Sequence, residues 1–334
     1  MKILITGGLG YIGSHVATEL IRENHEIFII DNLSNAYLSV LDQIEAVTNI
    51  KPDFEKIDLI NKLDIQVFFE KNKNIEGIIH FAALKSVSES VSNPIKYYKN
   101  NVLGMMNLLE FMPQNIPLVY SSSCTVYGSS IIQPIHEKIP FGSPTSPYGH
   151  TKQICEQIIE ANFRIESKFK AICLRYFNPI GAHSSCLIGE NPKKNPENIM
   201  PYLTQAVIGK QEIFTVYGND YPTKDGSCIR DYIHIVDLSK AHCKAINYLD
   251  NLKKDKFLES INIGTGKGIS VLELISCFEK STGEKVPFKI GDRRSGDIVT
   301  AYADTQKAEK LLDWKSKYTL SESLQSAWNW ELSK

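Results

Sequence analysis

"KILITGGLGYIGSHVATELIRENHEIFIID", residues 2–31, reads as strand, turn, helix and strand. The runs ILIT at 3–6 and EIFIID at 26–31 carry apolar residues at successive positions, the pattern of strands covered on both faces of a parallel sheet. Between them Ile12, Val16, Ala17, Leu20 and Ile21 fall on one helical stripe. The turn that joins the first strand to the helix holds Gly7, Gly10 and Gly13. Glycine there lets the backbone approach a pyrophosphate, which the free NH groups and dipole of a helix N-terminus stabilise. Tight strand-to-helix turns also use glycine for steric reasons alone. The place of this turn in the first βα unit favours a dinucleotide.

The series continues outward. FEKID at 54–58, GIIHFAA at 77–83, PLVYSSS at 117–123 and AICLRYFN at 171–178 read as further buried strands. Asn93 and Pro94 open another helix as cap and first-turn proline, carried on by Ile95, Tyr98, Val102, Met105, Met106 and Leu109. Alternation of this kind predicts an α/β fold with a doubly wound parallel (Rossmann) sheet. Beyond about residue 179 the rhythm gives way to NPKKNPEN at 191–198 and to shorter mixed elements. The expected division is therefore a dinucleotide-binding domain over 1–178, joined by parts of about 231–262, and a smaller mixed α/β substrate lobe over 179–334. A last helix spans about Leu320 to Leu332.

Asp31 ends the second strand, eighteen residues past Gly13, where a carboxylate accepts hydrogen bonds from both hydroxyls of an adenosine ribose. It would repel a 2′-phosphate, and no Arg directly follows to receive one, so the expected cofactor is NAD rather than NADP. Asp58, at the end of the third strand, reads either as an adenine contact or as a turn former.

The totals exclude other classes. A chain of 334 residues with 43% hydrophobic and 22% charged residues and a formal charge of −1 has no global excess to draw in nucleic acid or an anionic membrane. A polyanionic ligand would need local basic residues. Seven cysteines, at 124, 155, 173, 186, 228, 243 and 277, are odd in number and lack any CxxC pair, which points to reduced thiols and no metal site. The apolar start is too short for a signal peptide or a span, and the expected location is the cytoplasm. His15, His80 and His242 lack the spacing of metal ligands and read as structural.

The chemistry gathers in two stretches, VYSSSCTVYG at 119–128 and SPYGHTK at 146–152. Ser146 and Pro147 cap a helix whose first turns present Tyr148 and Lys152 on the same side. An ammonium beside a phenol favours the phenolate and lowers the Tyr pKa toward neutrality, making a base. Taken alone, a Tyr and a Lys four apart would be an ordinary surface pair. Ser123 adds a hydroxyl at the carboxyl end of a parallel strand, where open α/β sheets place groups that face ligands. Together the three suit removal of a hydroxyl proton while hydride leaves the same carbon.

TGxxGxxG from Thr6, the strand-end Ser and YxxxK resemble the extended short-chain dehydrogenase/reductase superfamily. Further stretches narrow the resemblance: DNLSNA at 31–36, HFAALKSVSESV at 80–91, LRYFNPIGAH at 174–183, NIMPYL at 198–203 and GNDYPTKDGSCIRDYIHIVDL at 218–238. In this order, over the whole chain, they resemble the UDP-glucose 4-epimerases. The resemblance implies an NAD-dependent reaction through a 4-keto sugar, with Tyr148 as base, Lys152 holding its charge and Ser123 assisting. It implies cofactor contacts from Gly7, Gly10, Tyr11, Ile12, Gly13, Asp31, Asn32, Asn35, Asp58, Leu59, Phe81, Ala82, Lys85, Asn100, Tyr148, Lys152 and Phe177. For a UDP-sugar it implies Lys85, Ser123, Tyr148, Asn178, Asn198, Ile199, Tyr217, Arg230, Arg294, Asp297 and Ala301. Position 36 is Ala where some relatives have Ser, so that hydrogen bond is absent. Fixed guanidinium forks suit a diphosphate in a protein with no net charge to offer. Against this, Arg230 beside Asp231 also reads as a structural pair, and Arg293 with Arg294 as a solvated run. A homodimer is implied by the family alone.

Two rivals remain at this point. A sugar-nucleotide dehydratase, or another epimerase of the superfamily, would share the first half of the chemistry. Dehydratases, however, carry an acid beside the strand-end hydroxyl, where this chain has Cys124 and Thr125. A non-catalytic NAD-binding regulator would be expected to have lost the Tyr. At position 301 some epimerases have Tyr, and Ala301 leaves room for an N-acetyl group at the sugar's carbon 2.

Overall fold

The computed structural model describes residues 1–193, 196–294 and 297–334. Along the first half, strands and helices alternate: β1 (Lys2–Thr6), α1 (Tyr11–Arg22), β2 (Glu26–Asp31), α2 (Val40–Thr48), β3 (Asp53–Lys56), α3 (Lys62–Lys71) and β4 (Gly77–His80). There follow α4 (Val87–Ser92), α5 (Pro94–Tyr97), α6 (Gly104–Phe111), β5 (Leu118–Ser123), α7 (Pro147–Ile165) and β6 (Phe169–Tyr176). The remainder holds β7 (Asn178–Ile180), α8 (Ile199–Val207), β8 (Phe214–Tyr217), β9 (Ile229–Arg230), β10 (Tyr232–His234), α9 (Ile235–Asn251) and β11 (Lys256–Ile263). It ends with β12 (Ile269–Ser270), α10 (Val271–Thr282), β13 (Phe288–Gly291), β14 (Thr300–Ala301), α11 (Gln306–Leu312) and α12 (Leu320–Leu332).

Seven strands form one parallel sheet in the order β11-β6-β5-β4-β1-β2-β3, the doubly wound arrangement expected from the sequence. The successive apolar positions are explained by two cores. Ile3 and Ile5 point to one face, packed with Val16, Leu20, Leu238 and Ile246, while Leu4 points to the other with Phe68, Leu108 and Ile159. Each such fully buried side chain contributes about 1.5–3 kcal/mol. Strand order reverses between β1 and β4, and in doubly wound sheets such a switch point is where ligands bind, outside the carboxyl ends of the strands.

A third core joins α8, β8, α10 and α12 through Met200, Leu203, Phe214, Phe278, Leu324 and Trp328. Around it lie three small sheets, β10-β7, β12-β9-β14 and β13-β8. Capping boxes start α10 at Ser270 and Glu273 and α12 at Thr319 and Glu322. Within the stretch NPKKNPEN, Lys194 and Asn195 lie outside the described residues.

The helix expected from Asn93 onward is broken. Residues Tyr98–Leu103 form a π turn between α5 and α6, and the Asn93 side chain makes no capping bond. The wider turn shifts the phase of the stripe: Met105 and Leu108 are fully buried, whereas Ile95 and Met106 are 64% and 49% exposed. β3 also ends earlier than expected, so Asp58 lies two residues beyond it.

Candidate active site

The first turn is built for close approach by a ligand. Gly7 has φ of +66°, and a Cβ there would meet the Ala82 backbone N at 2.7 Å. A Cβ on Gly13 would meet the Gly7 carbonyl at 2.6 Å. Gly10 caps α1 without a side chain, leaving the first amides of the helix uncapped by any side chain. Asp31, buried at the end of β2, accepts from Leu33 N at 2.8 Å and Leu9 N at 3.3 Å, and burial pushes its pKa up. This cradle and its carboxylate fit a dinucleotide with a free ribose.

The other residues expected at the cofactor lie mostly at the start of α1 and on the segments that follow β2, β3 and β4. Phe81 and Ala82 follow β4 and are tied to β1 by Phe81 N to Thr6 O (3.0 Å) and Ala82 N to Thr6 Oγ1 (3.3 Å). Leu59 is buried, and its carbonyl accepts from Asn107. Asn32 donates to Asp58 at 3.0 Å, while Ile60 N donates to the other oxygen of that carboxylate at 3.2 Å. Asp58 is thus a turn former that also holds Asn32. Tyr11 follows Gly10, and its hydroxyl donates to Gly181 O at 2.6 Å; Ile12 is half-buried beside it. Asn35 is exposed on the loop after β2. Asn100 lies half-buried in the π turn, next to buried Asn101, which bonds Leu84 N and O and the Thr151 hydroxyl.

At the carboxyl end of β5, Ser123, Tyr148 and Lys152 come together in the interior, each less than a tenth exposed. The local sequence explains this: Ser146 Oγ accepts from Gly149 N at 3.2 Å and Pro147 opens α7, so the helix starts one residue before Tyr148. Lys152 Nζ donates to Ser121 O at 2.6 Å and sits 4.8 Å from the Tyr120 ring centre and 6.0 Å from that of Tyr148. The expected lowering of the Tyr148 pKa does not occur here. Burial pushes it well above its usual value, aided by Tyr176, while the Ser123 hydroxyl pulls the other way. Burial also lowers Lys152 to about 8. Both groups have lost water, and the ammonium is directed at a carbonyl rather than at the phenol.

The residues expected at a UDP-sugar form a second group. Asp297 bridges two guanidinium groups, Arg230 at 3.4 Å and Arg294 at 3.1 Å, and Arg294 lies 4.6 Å over the Tyr217 ring. Arg230 is not paired with Asp231, which is fully buried and accepts from Thr265 N and Oγ1, Gly266 N and Ala303 N. Arg293 is paired at the surface with Asp220 at 2.7 Å. Between Arg294 and Asp297, Ser295 and Gly296 lie outside the described residues. Ala301, 5% exposed, faces Arg230 across β14 and β9 and packs with Phe177 and Cys124. Cys124 follows Ser123 and lies in the field of Arg230, so the two groups adjoin. Asn178 continues from Phe177 and donates its N–H to Asp231 O.

One residue that sequence reasoning passed over links the groups. Glu190, 8% exposed, pairs with Lys85 at 2.9 Å and accepts from the Asn198 side chain at the start of α8, beside Ile199. Nothing in one sequence marks this glutamate, because its partners are 105 and 8 residues away. Among the described residues no cluster of three or more His, Cys, Asp or Glu could hold a metal ion. No helix among them is long and apolar enough to cross a membrane.

The family pattern described as GDP-mannose 4,6 dehydratase matches residues 4–327. UDP-glucose 4-epimerase of Bacillus subtilis (strain 168) is 45% identical over 335 residues, covering 100% of this chain and 97% of the relative. The crystal structure of UDP-glucose-4-epimerase from Stenotrophomonas maltophila with bound NAD and formylated UDP-arabinopyranose superposes with a TM-score of 0.95 at 40% identity, covering 100% of this chain and 98% of that one. That of the Bifidobacterium longum UDP-glucose 4-epimerase in complex with NAD+ and UDP has the same TM-score and identity, covering 100% and 99%.

Proposed function

The chain belongs to the UDP-glucose 4-epimerase family, and we propose that it interconverts UDP-glucose and UDP-galactose with NAD, Tyr148 moving the proton of the sugar's 4-hydroxyl. The observation that carries the residue assignment is the meeting of Ser123, Tyr148 and Lys152, buried, at the end of β5 beside the switch point. NAD, when bound, supplies the hydride acceptor for carbon 4 and a cationic ring whose charge favours the phenolate. Gly7, Gly13 and the start of α1 would hold its pyrophosphate, and Asp31 its adenosine ribose. Lys152, fixed by Ser121 O, keeps positive charge next to the phenol. Ser123 steadies the sugar oxygen as the proton leaves. The 4-keto sugar then presents its other face, so that carbon 4 would take the same hydride back on that face while Tyr148 returns the proton to the 4-oxygen.

Arg230 and Arg294, both paired with Asp297, would clamp the diphosphate, with Tyr217 and Asn178 taking part. Elimination of water, the reaction named by the family pattern, lacks an acid here. Burial pushes the Cys124 thiol up to about 12, and Thr125 has only a hydroxyl. Ala301 is smaller than the Tyr that some epimerases carry there, which supports UDP-GlcNAc and UDP-GalNAc as further substrates.

The test is to incubate the protein with each of the four UDP sugars and identify the products, beside Tyr148→Phe. Epimerised sugars without loss of water are expected from the unmodified chain. The variant should retain NAD and lose at least about 100-fold in rate, as removal of a general base does. Undiminished turnover by the variant would defeat the assignment, and failure on the acetylated pair alone would defeat the role of Ala301. The family resemblance further supports a homodimer acting in the cytoplasm. Molar mass in solution checks the dimer.

A further inference from the structure

Next to Lys152 lies a buried ion pair that the reaction as described does not use. Glu156 and Arg175 are each 6% exposed. Arg175 donates to the Glu156 carboxylate from Nη2 at 2.6 Å and from Nε at 3.0 Å. The same carboxylate accepts from Ser260 Oγ at 3.1 Å and from the hydroxyl of Ser122. A pair like this is poor evidence of stability in itself, since well-packed apolar residues of the same volume often serve as well. What it touches is more informative.

Glu156 is on α7, four residues beyond Lys152 and eight beyond Tyr148, so the three follow one another along the helix at about 6 Å per step. The helix grips β5 at consecutive residues: Lys152 donates to the carbonyl of Ser121, and Glu156 accepts from the hydroxyl of Ser122. The next residue is Ser123. Arg175, on β6, reaches past it and donates to the Tyr127 hydroxyl at 3.0 Å, and that hydroxyl donates to Asn262 at 2.7 Å. Tyr127 closes the short 3-10 turn that starts at Cys124. The pair therefore holds the chain one residue before Ser123, on β5, and four residues after it, in the 3-10 turn, from the helix that carries Tyr148 and Lys152. Four elements, β5, β6, β11 and α7, meet on one carboxylate.

We propose that the Glu156–Arg175 pair is a positioning device for this epimerase: it sets the register of α7 on β5, and so the placement of Tyr148 and Lys152 against Ser123. This rests on the roles given to those three residues above. A charged pair does this better than packed methyl groups because each of its hydrogen bonds has one geometry, and a slip along the helix breaks several at once. The carboxylate has an electrostatic part as well. Lys152 is faced by Tyr148, Cys155 and Glu156 on α7, by Tyr120 on β5, by Cys173 on β6 and by His80 on β4. Glu156 is the only Asp or Glu among them, and it favours the charged lysine.

The test uses the NAD-loaded enzyme and Glu156→Gln, which keeps the shape and removes the charge. Per bound NAD, kcat should fall about 100-fold with KM for UDP-galactose changed less than about threefold, the signature of misplaced reacting groups. The alkaline limb of the kcat profile should move down by about one pH unit, because Lys152 now holds its proton less tightly beside an unpaired guanidinium. Adding Arg175→Met should return that limb toward its original position and leave kcat low. Should Glu156→Gln fail to fold, Ser122→Ala removes one hydrogen bond and keeps the pair; it should lower kcat about tenfold without changing KM. Normal kcat and pH profile per bound NAD in Glu156→Gln, or in Ser122→Ala if that is the variant available, would overturn the proposal. The proton-handling roles stand or fall separately, by Tyr148→Phe.

Discussion

Lys152 is a residue held against its own interest. Below about pH 8 it is charged in both the folded and the unfolded chain, and the folded chain carries the full cost of burying that charge. As pH rises from about 8 toward the unfolded value of 10.5, the unfolded chain binds the extra proton and the cost is relieved. The depression corresponds to about 3 kcal/mol at pH 7. Lys152→Met removes it but also removes the hydrogen bond to Ser121 O, which takes back about 1–2 kcal/mol. In dinucleotide-free protein the variant should therefore melt a few degrees higher at pH 7, by about 1–2 kcal/mol, while losing epimerisation. Scanning calorimetry at pH 7 and pH 10 checks this, since the gain should shrink at the higher pH; a variant less stable than the parent at pH 7 contradicts it. The identities of Ser123, Tyr148 and Lys152 were legible in the sequence, because hydroxyl, phenol and amine at a strand end and a helix start name a chemistry. Their ionisation was not legible, since it is set by burial and by Ser121 O, thirty-one residues from the lysine.

The first turn shows how far an element can be read from its own residues. Its glycines, the strand before it and the helix after it all appear in thirty residues of local pattern, and each is in place. The three glycines are not equivalent, however, which the spacing does not reveal. A Cβ on Gly13 would strike Gly7 O at 2.6 Å and Gly8 Cα at 2.7 Å, both backbone, whereas one on Gly10 would come no closer than 3.3 Å to Gly7 O. Gly13→Ala must push α1 away from the turn and should cost about 1–3 kcal/mol, with most of the bound NAD lost. Gly10→Ala should cost less, about 0.5–1 kcal/mol, since Gly7 O need give only a few tenths of an ångström and Ala is a poorer helix cap than Gly. Dinucleotide content by absorbance together with thermal melting separates the two, and equal behaviour would show that the contact at Gly13 is not what limits the turn. The stretch after Asn93 was misread for the opposite reason. Its apolar residues fit a continuous 3.6-residue period, but Asn101 bonds Leu84 on one side and Thr151 on the other, and the π turn that brings it there offsets everything beyond. Tertiary contacts decided that element, and one segment of sequence cannot contain them.

Across the whole molecule, burial has left many titratable groups without charge, and this gives the chain a direction of pH sensitivity. His15 and His80 are lowered by burial to about 3, and His183, His234 and His242 to about 4. Above about pH 6.5 these rings are neutral whether the chain is folded or not. As pH falls from there, the unfolded chain takes up protons that the folded chain refuses until about 3–4, so stability present above pH 6.5 is progressively lost. Each such proton contributes about 1.4 kcal/mol per pH unit, and five histidines together make the slope steep. Asp31, Asp231 and Asp237, raised by burial, work in the opposite sense nearer the carboxylate range, so the histidine effect is cleanest at the upper end. The melting temperature of the NAD-loaded protein should therefore drop sharply between about pH 6.5 and 5 at constant ionic strength. Replacing His242 by Gln, a ring with no partner on Nε2, should flatten part of that fall. A melting temperature unchanged over this range would mean that the rings take up protons in the folded state after all. None of this was visible in a net charge of −1, because the quantity that matters is where eight histidines end up in the fold rather than how many there are.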